Sequence, residues 1–431
     1  MASPSPIIRN SARFAVAAIL VVIGSALPWQ AARAAQLFQQ VPPTVANAMS
    51  ADQQASVDRI RNLPTTASVQ VVTIDLNALG DATTTMALPD AREVTATATR
   101  RDVRGDRDYT WYGTLAGTPG DAILVVRDGN VTGSINSGTD TYKVTPLGNG
   151  QHAIVKFDAS RLPPEHPPSF IERERRGDAA PLPPPRDLAL DAGPIVIDVL
   201  VAYTPTAAAQ VNNIAAFVQL AVDEANQSYV NSKVNQRLRL VHSYQVNYNE
   251  AGKGYDTIVA DLAGKSDGSM DEIHQLRDQH GADLVALIVN QTDFCGMADA
   301  IMASEATAFA AVHWNCATGY YSFAHELGHL MGARHDPAND PSTAPFPHGH
   351  GFQEGSAAWR TVMAYQCGAR ACTRLPYWSN PNVNYQGVPM GTTPAHDNAR
   401  VLNQTAPTIA TFRAAVQDAV MPKNTSDSSK K

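Results

Sequence analysis

The sequence predicts an α/β (α+β) domain built on a twisted mixed sheet over residues 194–413, preceded by a small β-rich unit over residues 35–160. Three observations predict it. In the second half, runs rich in β-branched residues alternate with amphipathic helical segments. The first half instead carries short alternating runs separated by turn signals. Between them, Leu162 to Pro185 is dense in proline and charge (PPEHPPSF, IERERRGD, PLPPP), which cannot bury a core and reads as an extended linker over 161–193.

Taken in order, Arg9 and Arg13 precede the apolar run Phe14 to Leu27, and Ala32-Arg33-Ala34 offers small residues for cleavage, so residues 1–34 read as a signal peptide. The run is too short for a stable membrane span. In the β-rich unit, Ala122 to Arg127 (AILVVR) and Tyr142 to Val144 alternate, with turns at Asp128-Gly129-Asn130 and Gly148-Asn149-Gly150. The unit has no cysteine and no cluster of metal ligands, so a catalytic role there is not expected. Joined by a linker with an accessible cut site at Glu172 to Arg176, it reads as a propeptide that assists folding and blocks a site. Without a cysteine before Cys295 the block cannot be a thiol; an aspartate is an option, with none singled out.

From Pro194, Ile195 to Tyr203 (IVIDVLVAY) is a buried strand, Ala207 to Val230 a helix with Val211, Ile214, Val218 and Leu220 on one face, and Leu238 to Val246 a second strand. Met270 to His280 is a helix that Gly281 stops before the strand Leu284 to Asn290. Thr307 to Trp314 forms a further strand. Ala399 to Arg413 is a closing helix, and residues 414–431 a polar, flexible tail.

Tyr320 to Asp336 reads YYSFAHELGHLMGARHD and contains H-E-x-x-H-x-x-G-x-x-H. His325 and His329 lie one helical turn apart and leave the same face, able to share one metal ion. Glu326 is placed to act as general base beside them. A third ligand further along the helix would point away, so Gly332, which accepts positive φ, lets His335 turn back. Three nitrogens with an open fourth position describe a catalytic zinc site rather than a closed structural one. His348 and His350 are rivals for the third place, and Glu354 lies where a carboxylate ligand would be sought, but the step at Gly332 favours His335. His313 is expected at a rim or in the core.

The motif resembles that of the metzincin zinc endopeptidases, and Asp336 after the third histidine is similar to the adamalysin (reprolysin) branch. That resemblance implies a metzincin-like catalytic domain, with Met363 in TVMAY (361–365) as the methionine turn beneath the zinc. It also implies that the strand before the zinc helix is the edge against which substrate pairs. Tyr365 stands where astacin-like and serralysin-like members carry a tyrosine that stabilises the tetrahedral intermediate, and adamalysins generally lack one; a packed aromatic is the alternative. The segments DFCGMADA (293–300), HWNCATG (313–319) and LPYWSNP (375–381) resemble the bacterial secreted peptidyl-Asp metalloendopeptidases. That likeness implies cleavage of protein or peptide substrates on the amino side of aspartate, and of glutamate by extension. An acidic side chain there calls for a guanidinium, and Arg370 and Arg374 follow the methionine turn as candidates, solvated loop arginines being the alternative. A broad-specificity protease, or an inactive zinc-containing binding module, are the competing readings.

All four cysteines lie between Cys295 and Cys372. They permit three pairings, of which Cys295–Cys316 and Cys367–Cys372 close local loops near the motif and suit an exported, extracellular chain. With 33 Lys and Arg against 40 Asp and Glu the net charge is −7, which gives no reason to expect nucleic acid as a partner. Calcium binding and oligomeric state leave no mark in the sequence.

Overall fold

The structure, a computed structural model, describes residues 1, 34–41, 49–167, 170, 193–368, 372–416 and 423–424. The expected leader (residues 2–33), the cut at Glu172 to Arg176, Arg370 and most of the tail lie outside the described residues.

In the N-terminal part, consecutive strands from Thr83–Ala87 to Gln151–Phe157 each pair antiparallel with the next, and Thr66–Ile74 pairs with the last, within an 11-stranded sheet. Local turn chemistry dictates this order. Asp128 and Gly129 both take positive φ (50° and 82°) and join strands in which Arg127 faces Asn130, a two-residue turn whose twist matches the sheet. Asn149 and Gly150 repeat the device at 51° and 74°. The helix Ala51–Arg61, which shows no apolar stripe to a sequence reader, opens on a capping box of Ser50 and Gln53.

The α/β part holds β1 (Ile195–Tyr203), β2 (Gln236–Gln245), β3 (Leu284–Val289), β4 (Gly296–Ala298) and β5 (Phe309–His313), in the spatial order β2-β1-β3-β5-β4. All run parallel except β4. Every residue of β3 is buried, as the centre of a covered parallel sheet requires. The helices are α1 (Ile214–Asn231), α2 (Tyr255–Ala263), α3 (Glu272–His280), α4 (Ser322–Leu330) and α5 (Asn398–Ile409). Gly281 ends α3 in the left-handed conformation, φ 63°.

Two expectations change. The helix read over 207–230 is broken: a short turn at Pro205–Ala208 stops, and α1 restarts where the Asn213 side chain accepts the amide of Ala216 at 3.1 Å. That capping bond outcompetes continuous helix. The edge of the sheet is also not the strand before α4, because β4 covers β5 on that side. At three residues, β4 is too short to show a periodicity.

The two parts pack directly. Tyr112, Ile123 and Val125 of the N-terminal sheet bury against Ala216 and Leu220 of α1. Around that patch, Lys143 Nζ donates to the Asn315 carbonyl (2.8 Å), Asn136 Nδ2 donates to the Tyr321 hydroxyl (2.8 Å) and the Thr110 hydroxyl donates to Asp223 (2.5 Å). Among the described residues no helix is long and apolar enough to cross a membrane.

Candidate metal centre

The helix α4 presents His325 and His329 on one buried face. Gly332 follows at φ 94°, and the amides of Gly332 and Ala333 fold back onto the carbonyls of His329 (2.8 Å) and Gly328 (2.9 Å). This left-handed step reverses the chain and brings His335 to the other two. Gly328 is required for a different reason. A Cβ there would lie 2.5 Å from the Trp378 ring and 3.0 Å from Met363 Sδ, so glycine alone lets α4 settle on the floor those side chains form.

The three Nε2 atoms converge at mutual separations of 3.0, 3.0 and 3.1 Å. His325 Nδ1 lies 2.8 Å from the Val362 carbonyl and His329 Nδ1 2.9 Å from that of Ala333. Carbonyls accept, so the protons of these rings sit on Nδ1 and their Nε2 lone pairs face one another. Lone pairs packed this closely repel unless a cation lies between them. Nitrogens about 2.0–2.1 Å from a tetrahedral ion stand about 3.3 Å apart, near the spacing here. The residues therefore fit a metal ion. Burial, more than any neighbouring group, holds all three imidazoles well below their ordinary range, which keeps them neutral and able to ligate.

Glu326 is buried next to the triad, and burial raises its carboxyl above the ordinary range. Tyr365 stacks on His335 with ring centroids 4.0 Å apart. Its backbone amide donates to Asp336 Oδ1 at 2.9 Å, so the aspartate after the third histidine ties the methionine turn to the metal loop. His350 Nδ1 contacts the His335 carbonyl at 2.7 Å and so supports that residue from behind. Within the described residues His313, His348 and Glu354 belong to no metal-competent group.

A fourth histidine, unforeseen in the sequence, completes the cluster. His166 lies in the segment read as linker, yet its ligand atom sits within 4.8 Å of those of His325, His329 and His335. Its Nε2 is 3.0 Å from Glu326 Oε1, and its Nδ1 is 2.8 Å from the Tyr365 hydroxyl. Phe170 stacks on its other side, centroids 4.6 Å apart. The strap that carries it adds to the sheet edge: the amides of Cys295 and Gly296 donate to the carbonyls of Pro164 (2.8 Å) and Glu165 (3.1 Å). A Glu-His pair bracketed by paired prolines was the available signal, since proline fixes extended backbone without needing a core.

Glu165 is buried against two guanidiniums. Arg374 Nη1 lies 3.3 Å from Oε2, Arg360 Nη2 3.4 Å from Oε1, and the Tyr320 hydroxyl donates to Oε1 at 2.8 Å. Burial would raise the Glu165 carboxyl; Arg374 and Arg360 outweigh it and hold the group below its ordinary value. Arg374 is thus a buried pocket residue and not a solvated one. Disulfides join Cys295 to Cys316 at the strap-bearing edge, and Cys367 to Cys372 across the loop that precedes Arg374.

Residues 194–379 match metallo-peptidase family M12 (Reprolysin_5). The chain is 41% identical over 416 residues to the peptidyl-Asp metalloendopeptidase of Xanthomonas campestris pv. campestris, covering 91% of this chain and 97% of that protein. It is 42% identical over 410 residues to that of Stenotrophomonas maltophilia R551-3, covering 89% and 95%. The likeness therefore spans the N-terminal unit and the strap as well as the metal domain.

Proposed function

The chain belongs to the peptidyl-Asp metalloendopeptidase family within the M12 metallo-peptidases, and from that premise we propose that it is a zinc-dependent endopeptidase, exported as a latent precursor, that cuts proteins on the amino side of aspartate. The observation that carries the reading is the convergence of His325, His329 and His335 within 3.0–3.1 Å, with Glu326 buried beside them. A buried set of three neutral imidazoles with one open position suits zinc better than harder, oxygen-seeking ions. When bound, zinc supplies Lewis acidity toward water and the peptide carbonyl.

The rest falls to side chains. Glu326 accepts the proton of the attacking water and returns it to the leaving amine, and a carboxyl raised by burial suits both transfers. The Tyr365 hydroxyl, once released from His166, can donate to the oxygen on which charge develops. Substrate backbone adds to the free edge of β4, where the strap now lies.

The same contacts support latency. His166 engages Glu326 and Tyr365 together, so neither is available while the strap is seated. The N-terminal unit then serves as propeptide, with release following a cut in the charged stretch after Phe170. Mapping the peptides cut by the secreted protein, with and without a chelator, tests the reading. Chelator-sensitive cuts before aspartate are expected; chelator-insensitive cleavage contradicts the zinc chemistry, and sensitive cuts without the acidic bias contradict the specificity.

A further inference from the structure

Take the strap away, and the pocket it fills becomes chemically incomplete. Arg360 and Arg374 are both buried, and their charges then face each other with no carboxylate between them. Neither can relax outward, because each is pinned by backbone: Arg360 Nη1 donates to the Ala364 carbonyl, and Arg374 Nε donates to that of Val362 at 2.8 Å. Both anchors belong to the methionine turn itself. The Tyr320 hydroxyl accepts from Arg360 Nη2 at 2.7 Å, which leaves its proton aimed at the space where Glu165 Oε1 now sits. Two buried cations and an oriented hydroxyl form a preorganised receptor for one carboxylate. The pocket also lies one residue along the strap from His166, so its occupant flanks whatever group meets the metal.

We infer that Arg360, Arg374 and Tyr320 form the subsite that selects the acidic side chain of the substrate, and that Glu165 is its resident mimic. The inference rests on the peptidase reading and assigns the residues behind its specificity. It adds Arg360 and Tyr320 to Arg374, and it explains why an acidic residue stands beside His166. Glu165 carries one methylene more than aspartate, and its contacts to both guanidiniums, at 3.3 and 3.4 Å, are longer than those of a close bidentate pair. The shorter aspartate side chain would draw the flanking backbone closer to the arginines.

Two measurements test this. Enzyme matured from the full chain is assayed on two peptides that differ only in Asp or Asn after the scissile bond. Tyr320→Phe should lower the Asp-to-Asn ratio of kcat/KM by about tenfold and Arg360→Met by about a hundredfold or more, with the Asn peptide little affected. An unchanged ratio in both variants overturns the assignment. Because a buried arginine variant can fail to fold, peptides spanning residues 161–167 are also titrated into wild-type enzyme by calorimetry. His166 is kept, and position 165 is Glu, Asp or Gln. The acidic peptides should bind at least about tenfold more tightly than the Gln peptide; equal binding overturns the subsite. Failure to cut either substrate contradicts the peptidase reading alone, since the calorimetric comparison still reads the pocket.

Discussion

The floor of the site and the strap above it meet at the same four imidazoles but are built by different rules. Below, His325 and His329 are fixed by helix geometry, by carbonyls of Val362 and Ala333, and by a glycine that lets α4 sit on Met363 and Trp378. Above, the strap is held by two edge amides, the polar tips of Glu165 and His166 and the ring of Phe170. The floor is tied into the core at many points, whereas the strap is seated by contacts that substrate could reproduce. A permanent centre and a removable cover can thus share one set of ligands, provided that the cover borrows its contacts from the reaction.

The largest expected effect falls on the floor. Glu326→Gln removes the proton acceptor without changing side-chain volume, and activity should drop by about 10²–10⁴-fold while one metal ion per chain is retained. Metal analysis beside a peptide assay checks this, and metal loss together with activity would make Glu326 a structural residue.

Gly328→Ala sharpens the contrast. Its methyl group would meet Trp378 at 2.5 Å and Met363 Sδ at 3.0 Å, and overpacking of that kind costs about 1–3 kcal/mol. A lower unfolding midpoint and weaker metal retention are expected, with strap binding per folded molecule unchanged. A neutral substitution would mean that the floor yields more readily than its packing implies.

The mildest effect concerns the surface on which the N-terminal unit docks. Burial pushes Lys143 down to about 7 and Glu224 up to about 7. If release exposes both, a free glutamate is ionised between about pH 4.5 and 7 where the docked one keeps its proton, so docking strengthens as pH falls from 7. A free lysine is charged between about pH 7 and 10.5 where the docked one is neutral, so docking also strengthens as pH rises from 7. Retention of the cleaved but associated N-terminal unit should therefore pass through a minimum near pH 7. Lys143→Met should remove the alkaline limb and leave the acid one; a flat profile would mean that these groups stay buried after release.

How far the sequence foretold this arrangement depends on how local each contact is. The triad, Glu326 and the turn at Gly332 sit within one helix and its exit, where spacing alone fixes direction. The hairpins at Asp128-Gly129 and Asn149-Gly150 were legible for the same reason, since the turn residues state their own φ. Arg374 was visible as a candidate, but its partner was not: Glu165 lies 209 positions away, and His166 is 160 from Glu326. No periodicity encodes contacts that distant. The proline-rich composition was read as linker because it builds no core of its own, yet an extended strap needs none when another domain supplies the burial. The break before α1 and the short edge strand β4 were hidden by similar economy, one resting on a single asparagine cap and the other on three residues.

The most direct test of the account measures hydrolysis of a short aspartyl peptide by the intact full-length chain, made uncleavable by replacing the arginines of residues 173–176 with glutamine. Its double variant Glu165→Gln, His166→Ala is assayed beside it, with metal content determined for both. The account predicts that the intact chain is silent and that the double variant is active without any cut, at equal metal content. An intact chain that hydrolyses the peptide as fast as processed enzyme, or a metal-loaded double variant that stays silent, would contradict it.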